Sequence, residues 1–443
     1  MDMGTGKTRT AIELVSRRAH RVWNVVWFCP VSLKETIAAE IRKHTDSIPD
    51  DICVWDDKIT AETVPCAFWH IVGIESMSAS KRVIFTALRV IGEFTFVIVD
   101  ESSYIKGHRS ARTSWITDAA AKARYRLILT GTPISQGVVD LFAQFRFLDW
   151  RILGYRSFYS FAHNHLEYSE KYPGLIVRAH NTEWLAAKIN PYVYQVAKNE
   201  CLTLPSKLYS CRSFRMTDEQ RDLYEFAKNE FLFELDGDSF DSITIFRLFG
   251  ILQQIVSGFW GRKNRMGAGI LEVEHRRVST LLNVIEQIPE SEKIIIWAKF
   301  RYDIRSISDA LRSEFGDEST AFFYGDISEK NRNKEIVKFA EKARFFLATP
   351  SCGGHGLTLN EASNVVFYNN GFKYAERLQA EDRNHRIGQR KKVLYVDLCC
   401  EKSIDDRIMS ALAKKGNVVD EFKREVDKVK GKKSAIETLI RGL

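Results

Sequence analysis

At 443 residues, 45% apolar and 28% charged, the chain has the make-up of an ordinary globular protein long enough for two or three domains. A net charge of +8 permits a nucleic-acid partner without demanding one. No run of about 18 apolar residues exists to span a membrane, no signal-peptide pattern opens the chain, and eight cysteines without a CxxC pair read as reduced thiols.

The chain opens on DMGTGKT. Gly4, Thr5, Gly6, Lys7 and Thr8 have the composition of a phosphate loop, and Ala11, Ile12, Leu14 and Val15 give the following segment the apolar face of a helix. The N-terminus of such a helix turns backbone N–H groups and the positive dipole end towards phosphate. In that setting Lys7 reaches the β- and γ-phosphates and Thr8 ligates Mg²⁺. VVWFCP, Val25 to Pro30, reads as a strand buried on both faces, Glu35 to His44 as a helix, and HIVGI, His70 to Ile74, as a second buried strand.

FVIVDES, Phe96 to Ser102, is a strand that ends on two carboxylates. The C-terminal end of a strand is where α/β sheets bind ligands. There Asp100 can hold Mg²⁺ and Glu101 can orient or deprotonate an attacking water. YRLILTGTPIS, Tyr125 to Ser135, is a third buried strand, and Asp140 to Leu148 an apolar helix. The aromatic-rich stretch from Asp149 to Pro205 reads as the packing of a small helical insertion. Helical periodicity returns at Glu219 to Leu235 and Ser242 to Phe259, and the basic, glycine-rich Gly261 to Gly269 reads as an interdomain linker.

After a helix at Val278 to Gln287, KIIIW reads as a buried strand, FFYGDIS as a strand and loop, and RFFLATPS, NVVFYNN and VLYVDL as further strands. CGGHGLTL, Cys352 to Leu359, has glycines that permit close backbone approach to phosphate. QAEDRNHRIGQ, Gln379 to Gln389, carries Arg383 and Arg386 three residues apart; on a helix both guanidiniums would aim at one point, and the planar fork suits phosphate. From Val418 the apolar stripe Val418, Val419, Phe422, Val426 and Val429 reads as a docked amphipathic helix with a basic outer face. His355 and His385 lack the Cys/His spacing of a metal site.

These stretches, in this order, resemble the motifs of superfamily 2 helicase-like ATPases, and QAxxRxxRIGQ resembles the form typical of Swi/Snf-type DNA translocases. GTGKT stands at motif I, PVSL at motif Ia, DESS at motif II in place of the commoner DEAH or DEAD, TGTP at motif III, the glycine-rich stretch at motif V, and Arg383 and Arg386 at the arginine fingers of motif VI. The resemblance implies an α/β protein of two RecA-like lobes with ATP and Mg²⁺ in the cleft, and DNA-stimulated ATP hydrolysis driving movement along duplex DNA through phosphate contacts. It makes Gly356 and Gln379 further nucleotide-binding candidates. The expected domains are 1–216 for the first lobe, 217–275 for a helical connector and linker, 276–417 for the second lobe and 418–443 for the basic tail. The compact form resembles phage or bacterial members acting in the cytoplasm.

The resemblance also places a strand and an adenine-reading, glutamine-bearing segment upstream of the phosphate loop. They are expected to precede Met1 in a longer natural chain, and their loss to leave a gap inside the first sheet. A strand-separating helicase and an ATPase-silent DNA-binding module are the alternative functions.

Overall fold

The computed structural model of the chain describes residues 1–2, 4–131, 137–168, 176–234, 242–264, 267–327, 329–350, 357–428 and 433–443. By its internal contacts the chain divides into two units, Met1–Thr203 and Leu204–Leu443.

In the first unit the runs rich in Val, Ile, Phe and Trp form the strands β1 (Asn24–Cys29), β2 (Ile52–Val54), β3 (Trp69–Gly73), β4 (Thr95–Asp100) and β5 (Tyr125–Leu129). They pair in the order β2-β3-β1-β4-β5, every pair parallel. Side chains alternate between the two faces of a strand. Val25, Trp27 and Cys29 of β1, with Phe96 and Ile98 of β4, pack against the helices Lys7–Ser16 and Lys34–His44. Val26 and Phe28, with Val97 and Val99, pack on the other face against Lys81–Val90 and Ala111–Ala120. A sheet covered on both faces needs strands apolar throughout, which is why these runs show no polar alternation.

The five strands are contiguous, so the expected gap inside this sheet is not there. β1 lies directly between β3 and β4, and β5 stands at the edge, paired with β4. Beyond β5, the helices Val139–Leu153, Phe158–His165 and Thr182–Ile189 and the antiparallel pair β6 (Leu166–Tyr168) and β7 (Ile176–Ala179) form a small satellite. Leu141, Phe142, Phe145, Phe161 and Leu185 make its core. Much of the aromatic content of this stretch is thus spent on packing, as expected, while Tyr159, Tyr192 and Tyr194 stay exposed.

The second unit begins with β8 (Lys207–Phe214). After the helices Asp218–Glu234 and Ser242–Val256 come the antiparallel β9 (Phe259–Asn264) and β10 (Gly267–Glu272). The stretch expected as a linker is therefore a β-ladder inside the second unit. The main sheet adds β11 (Lys293–Trp297), β12 (Thr320–Phe323), β13 (Phe345–Ala348), β14 (Ala362–Phe367) and β15 (Val393–Cys400). Its order is β12-β13-β11-β14-β15-β8, again all parallel. β8 lies ahead of the expected boundary at 216, yet it pairs with β15 from Lys207 opposite Val393 to Phe214 opposite Cys400.

Alternate residues of β11 feed two cores, Ile294 and Ile296 on one face, Ile295 and Trp297 on the other. Val418, Val419, Phe422 and Val426 are buried in the first of these cores, so the tail helix Val418–Lys428 docks. The last helix, Lys433–Arg441, is tied by the Tyr224 hydroxyl, which donates to the Leu443 carbonyl at 3.0 Å. Each unit is a helix-covered parallel sheet, and together they are the two RecA-like α/β lobes that the motif order implies. Among the described residues no helix is long and apolar enough to cross a membrane.

Candidate active site

The phosphate loop starts from backbone conformation. Gly4 and Gly6 take φ values of 76° and 86°, the left-handed region that costs an L side chain most. A Cβ at Gly6 would meet no atom within 4 Å, so the glycine answers to the turn and the space beside it is open. The helix Lys7–Ser16 begins at once. It has no side-chain cap and no acidic residue in its first turn, which leaves its positive end for an anion.

Thr5 Oγ1 donates to the Asp2 carbonyl at 2.7 Å, and Lys7 Nζ donates to the carbonyls of Met1 at 3.2 Å and Asp2 at 2.8 Å. Asp2 is itself anchored: its N–H donates to the Val196 carbonyl, and its carboxylate accepts from the Lys198 N–H at 2.9 Å. Lys7 thus folds back over its own loop, where a phosphate would compete with carbonyls for the ammonium. Thr8 is half-buried in the first helical turn.

β4, held between β1 and β5, delivers Asp100 and Glu101 at its C-terminal end. Burial pushes the Asp100 carboxyl up to about 6, and the neighbouring Glu101 charge adds to the rise. The Glu101 N–H, 2.9 Å from Asp100 Oδ1, and the positive charge of Lys7 oppose it. The Lys7 charge is thus felt at Asp100 within the first unit.

An unfolded aspartate ionises near 3.8. Between there and about 6 the folded state keeps the proton that the unfolded state loses, so the penalty on folding grows with pH and is complete above about 6. In the absence of metal and nucleotide, Asp100→Asn is expected to stabilise the fold by about 1–3 kcal/mol near neutral pH and to change it little below about pH 4. Thermal melts at the two pH values check this.

Glu101 sits at φ 51°, ψ 59°, a left-handed conformation that costs a non-glycine residue about 1–3 kcal/mol and clusters at functional sites. Its carbonyl accepts from the Tyr104 N–H at 3.0 Å, and its Oε1 accepts from Ser103 Oγ at 2.9 Å.

A divalent cation fits this donor set. Mg²⁺ keeps several waters and takes one or two protein oxygens beside the phosphates of a substrate. Asp100, costly to ionise where it lies, and the Thr8 hydroxyl could provide them. Among the described residues no group of three or more His, Cys, Asp or Glu side chains could hold a metal ion without such help.

In the second unit the helix Tyr374–Glu381 carries Gln379, half-buried, and stops at Glu381. Arg383 and Arg386 lie in the turns that follow, not on a common helical face as expected. Tertiary bonds end the helix there. The Leu359 N–H donates to the Arg383 carbonyl at 2.9 Å, His385 Nε2 meets the Pro205 carbonyl at 2.8 Å, and Arg386 Nη1 donates to the Leu357 carbonyl at 3.1 Å. Gln389 Nε2 donates to the carbonyls of Ala362 and Asn384, while its Oε1 accepts from the N–H groups of Arg390 and Lys391. Arg383 is buried and Arg386 half-buried. Gly356, with the rest of 351–356, and residues 132–136 of the TGTP stretch lie outside the described residues.

Local pattern did not reveal the charge cluster beneath this turn. Arg377 binds Glu381 Oε1 at 2.8 Å, Asn370 Oδ1 at 2.7 Å and both oxygens of Asp397, and its guanidinium lies 3.5 Å from the centre of the Phe367 ring. Glu381 Oε2 accepts from Lys207 Nζ at 2.8 Å and from the Tyr209 hydroxyl at 2.9 Å. Side chains of β8, β15 and one helix, with Phe367 and Asn370 at and after the end of β14, thus brace the base of the Arg383–Arg386 turn. Arg377→Ala would leave two carboxylates buried beside a lost cation, and is expected to cost about 3–5 kcal/mol in a urea denaturation of the chain.

Comparison with known proteins shows the family. A family model described as the SNF2-related domain matches residues 1–257, and one described as the helicase conserved C-terminal domain matches residues 276–388. An uncharacterized ATP-dependent helicase of Mycoplasma genitalium is 28% identical over 334 residues, which is 74% of this chain and 30% of that protein. The human DNA annealing helicase and endonuclease ZRANB3 is 25% identical over 426 residues, 94% of this chain and 38% of that protein. The chain thus spans about a third of the length of these relatives. A solved Sulfolobus solfataricus SWI2/SNF2 ATPase core in complex with dsDNA aligns at 22% identity and a TM-score of 0.41, covering 99% of this chain and 89% of that one.

Proposed function

We propose that this chain, which belongs to the family of SNF2-related domains, the helicase-type ATPases, couples ATP hydrolysis to movement along duplex DNA. The observation that carries the reading is the phosphate-loop turn at Gly4 and Gly6 in the same unit as a buried parallel strand that ends on Asp100, with Glu101 after it in a strained turn. In this reading the loop Gly4, Thr5, Gly6, Lys7 and Thr8 holds the phosphates and Lys7 neutralises their charge. Glu101 orients the attacking water and takes its proton. Thr8 and Asp100 would hold Mg²⁺, which would offset negative charge on the phosphates. Arg383 and Arg386 stabilise the charge that builds up in the transition state, and Gln379 with Gly356 supports nucleotide binding from the second unit.

The motif resemblance supports DNA as the partner, and binding through its phosphates would make recognition independent of sequence. DNA affinity is therefore expected to fall steeply with salt and to vary little between sequences; titrations of labelled duplexes at several salt concentrations check it. The test of the function is steady-state ATP hydrolysis without DNA, with single strands and with duplex. Duplex is expected to stimulate most. ATP turnover absent in all three, with DNA still bound, would replace this reading by that of a silent DNA-binding module.

A further inference from the structure

The two residues after Glu101 are serines where DEAH or DEAD would place other side chains, and each hydroxyl has a separate task. Ser103 Oγ donates to Glu101 Oε1 at 2.9 Å. Ser102, with no exposed surface, donates to Gln144 Oε1 at 2.6 Å. Gln144 is also buried, on the helix Val139–Leu153, and its Nε2 donates to the Asp140 carbonyl at 2.9 Å. The backbone between these bonds is the left-handed turn at Glu101, a conformation that persists only when its surroundings over-determine it.

A glutamate in water swings on three rotors. A donor on Oε1 fixes the plane of the carboxylate and presents Oε2 to a reacting water, and a base misplaced by even a fraction of an ångström loses rate.

We propose that Ser103 is a positioning residue for Glu101, and that the buried Ser102–Gln144 hydrogen bond holds the turn from which Glu101 acts. The proposal rests on the role given to Glu101 above. Neither serine touches the phosphates in this scheme, so its mark is a loss in kcat without a loss in nucleotide affinity.

The test uses the full chain with duplex DNA and four variants, each with a thermal melt. Ser103→Ala is expected to lower kcat about tenfold with KM for ATP within about twofold, and Ser103→Thr, which keeps the hydroxyl, to recover most of the loss. The double variant Ser102→Ala, Gln144→Leu leaves no buried hydroxyl without its partner, so it is expected to hold its melting temperature while kcat falls several-fold. Ser103→Ala at the parental kcat, Ser103→Thr as slow as Ser103→Ala, or a loss carried by KM overturns the role of Ser103. A double variant at the parental kcat, or one whose lower kcat follows a lower melting temperature, overturns that of the buried pair. Glu101→Gln separates the two levels: if it turns over ATP like the parent, the function given to Glu101 fails and this inference with it. If Glu101→Gln is inactive and Ser103→Ala is not slowed, only the inference fails.

Discussion

Glu101→Gln is expected to cut ATP turnover by about 10³-fold and to leave nucleotide binding in place. Glutamine has nearly the same shape and can still accept the Ser103 hydroxyl through its carbonyl oxygen, so the turn at φ 51° has no new reason to relax. What is lost is the capacity to take a proton from water. The phosphate loop, with its open space at Gly6 and its uncapped helix start, is untouched. Single-turnover hydrolysis beside fluorescent-nucleotide binding reads both quantities. Lys7→Ala makes the contrast, since it removes the charge that meets the phosphates and is expected to lose binding as well as turnover. Near-parental turnover by Glu101→Gln would remove this residue from the chemistry.

Arg386→Ala is expected to lower turnover by about 10³-fold while changing nucleotide affinity little, because arginine fingers act mainly in the transition state. Its side chain is half-buried, with one nitrogen donating to the Leu357 carbonyl, so the fold should tolerate the truncation. Arg386→Lys keeps the charge but loses the fork, and should recover only part of the rate. Arg383 differs in being buried, so Arg383→Ala should lose both activity and melting temperature. Normal turnover by both alanine variants would exclude the second unit from the reaction.

The buried strands were legible because a parallel sheet covered on both faces demands unbroken apolar runs, and the interiors of β1, β4 and β11 have them. The phosphate loop and the Asp100–Glu101 pair were legible because their chemistry lies in contiguous residues. Elements whose reason is distant were not. β8 reads KLYSCRSF, largely polar and exposed, and becomes a strand only by pairing with β15 some 180 residues later in the chain. The basic stretch Gly261 to Gly269 looks like a loop by composition, yet its described residues fall within the paired strands β9 and β10. Helical spacing put Arg383 and Arg386 on one face, but the Leu359, Pro205 and Gln389 hydrogen bonds stop the helix at Glu381. The Arg377 cluster joins residues of β8, β15 and one helix, and no local periodicity carries that information.

Movement along duplex DNA is tested most directly by triplex displacement. A third strand is annealed to a duplex track, and its release is followed with ATP, with a non-hydrolysable analogue, and with Glu101→Gln in place of the parent chain. The expected result is release that needs both ATP and Glu101, with the two strands of the duplex staying paired. Release without hydrolysis, no release by a chain that turns over ATP on duplex DNA, or separation of the duplex strands themselves would contradict it, the last pointing to a strand-separating helicase.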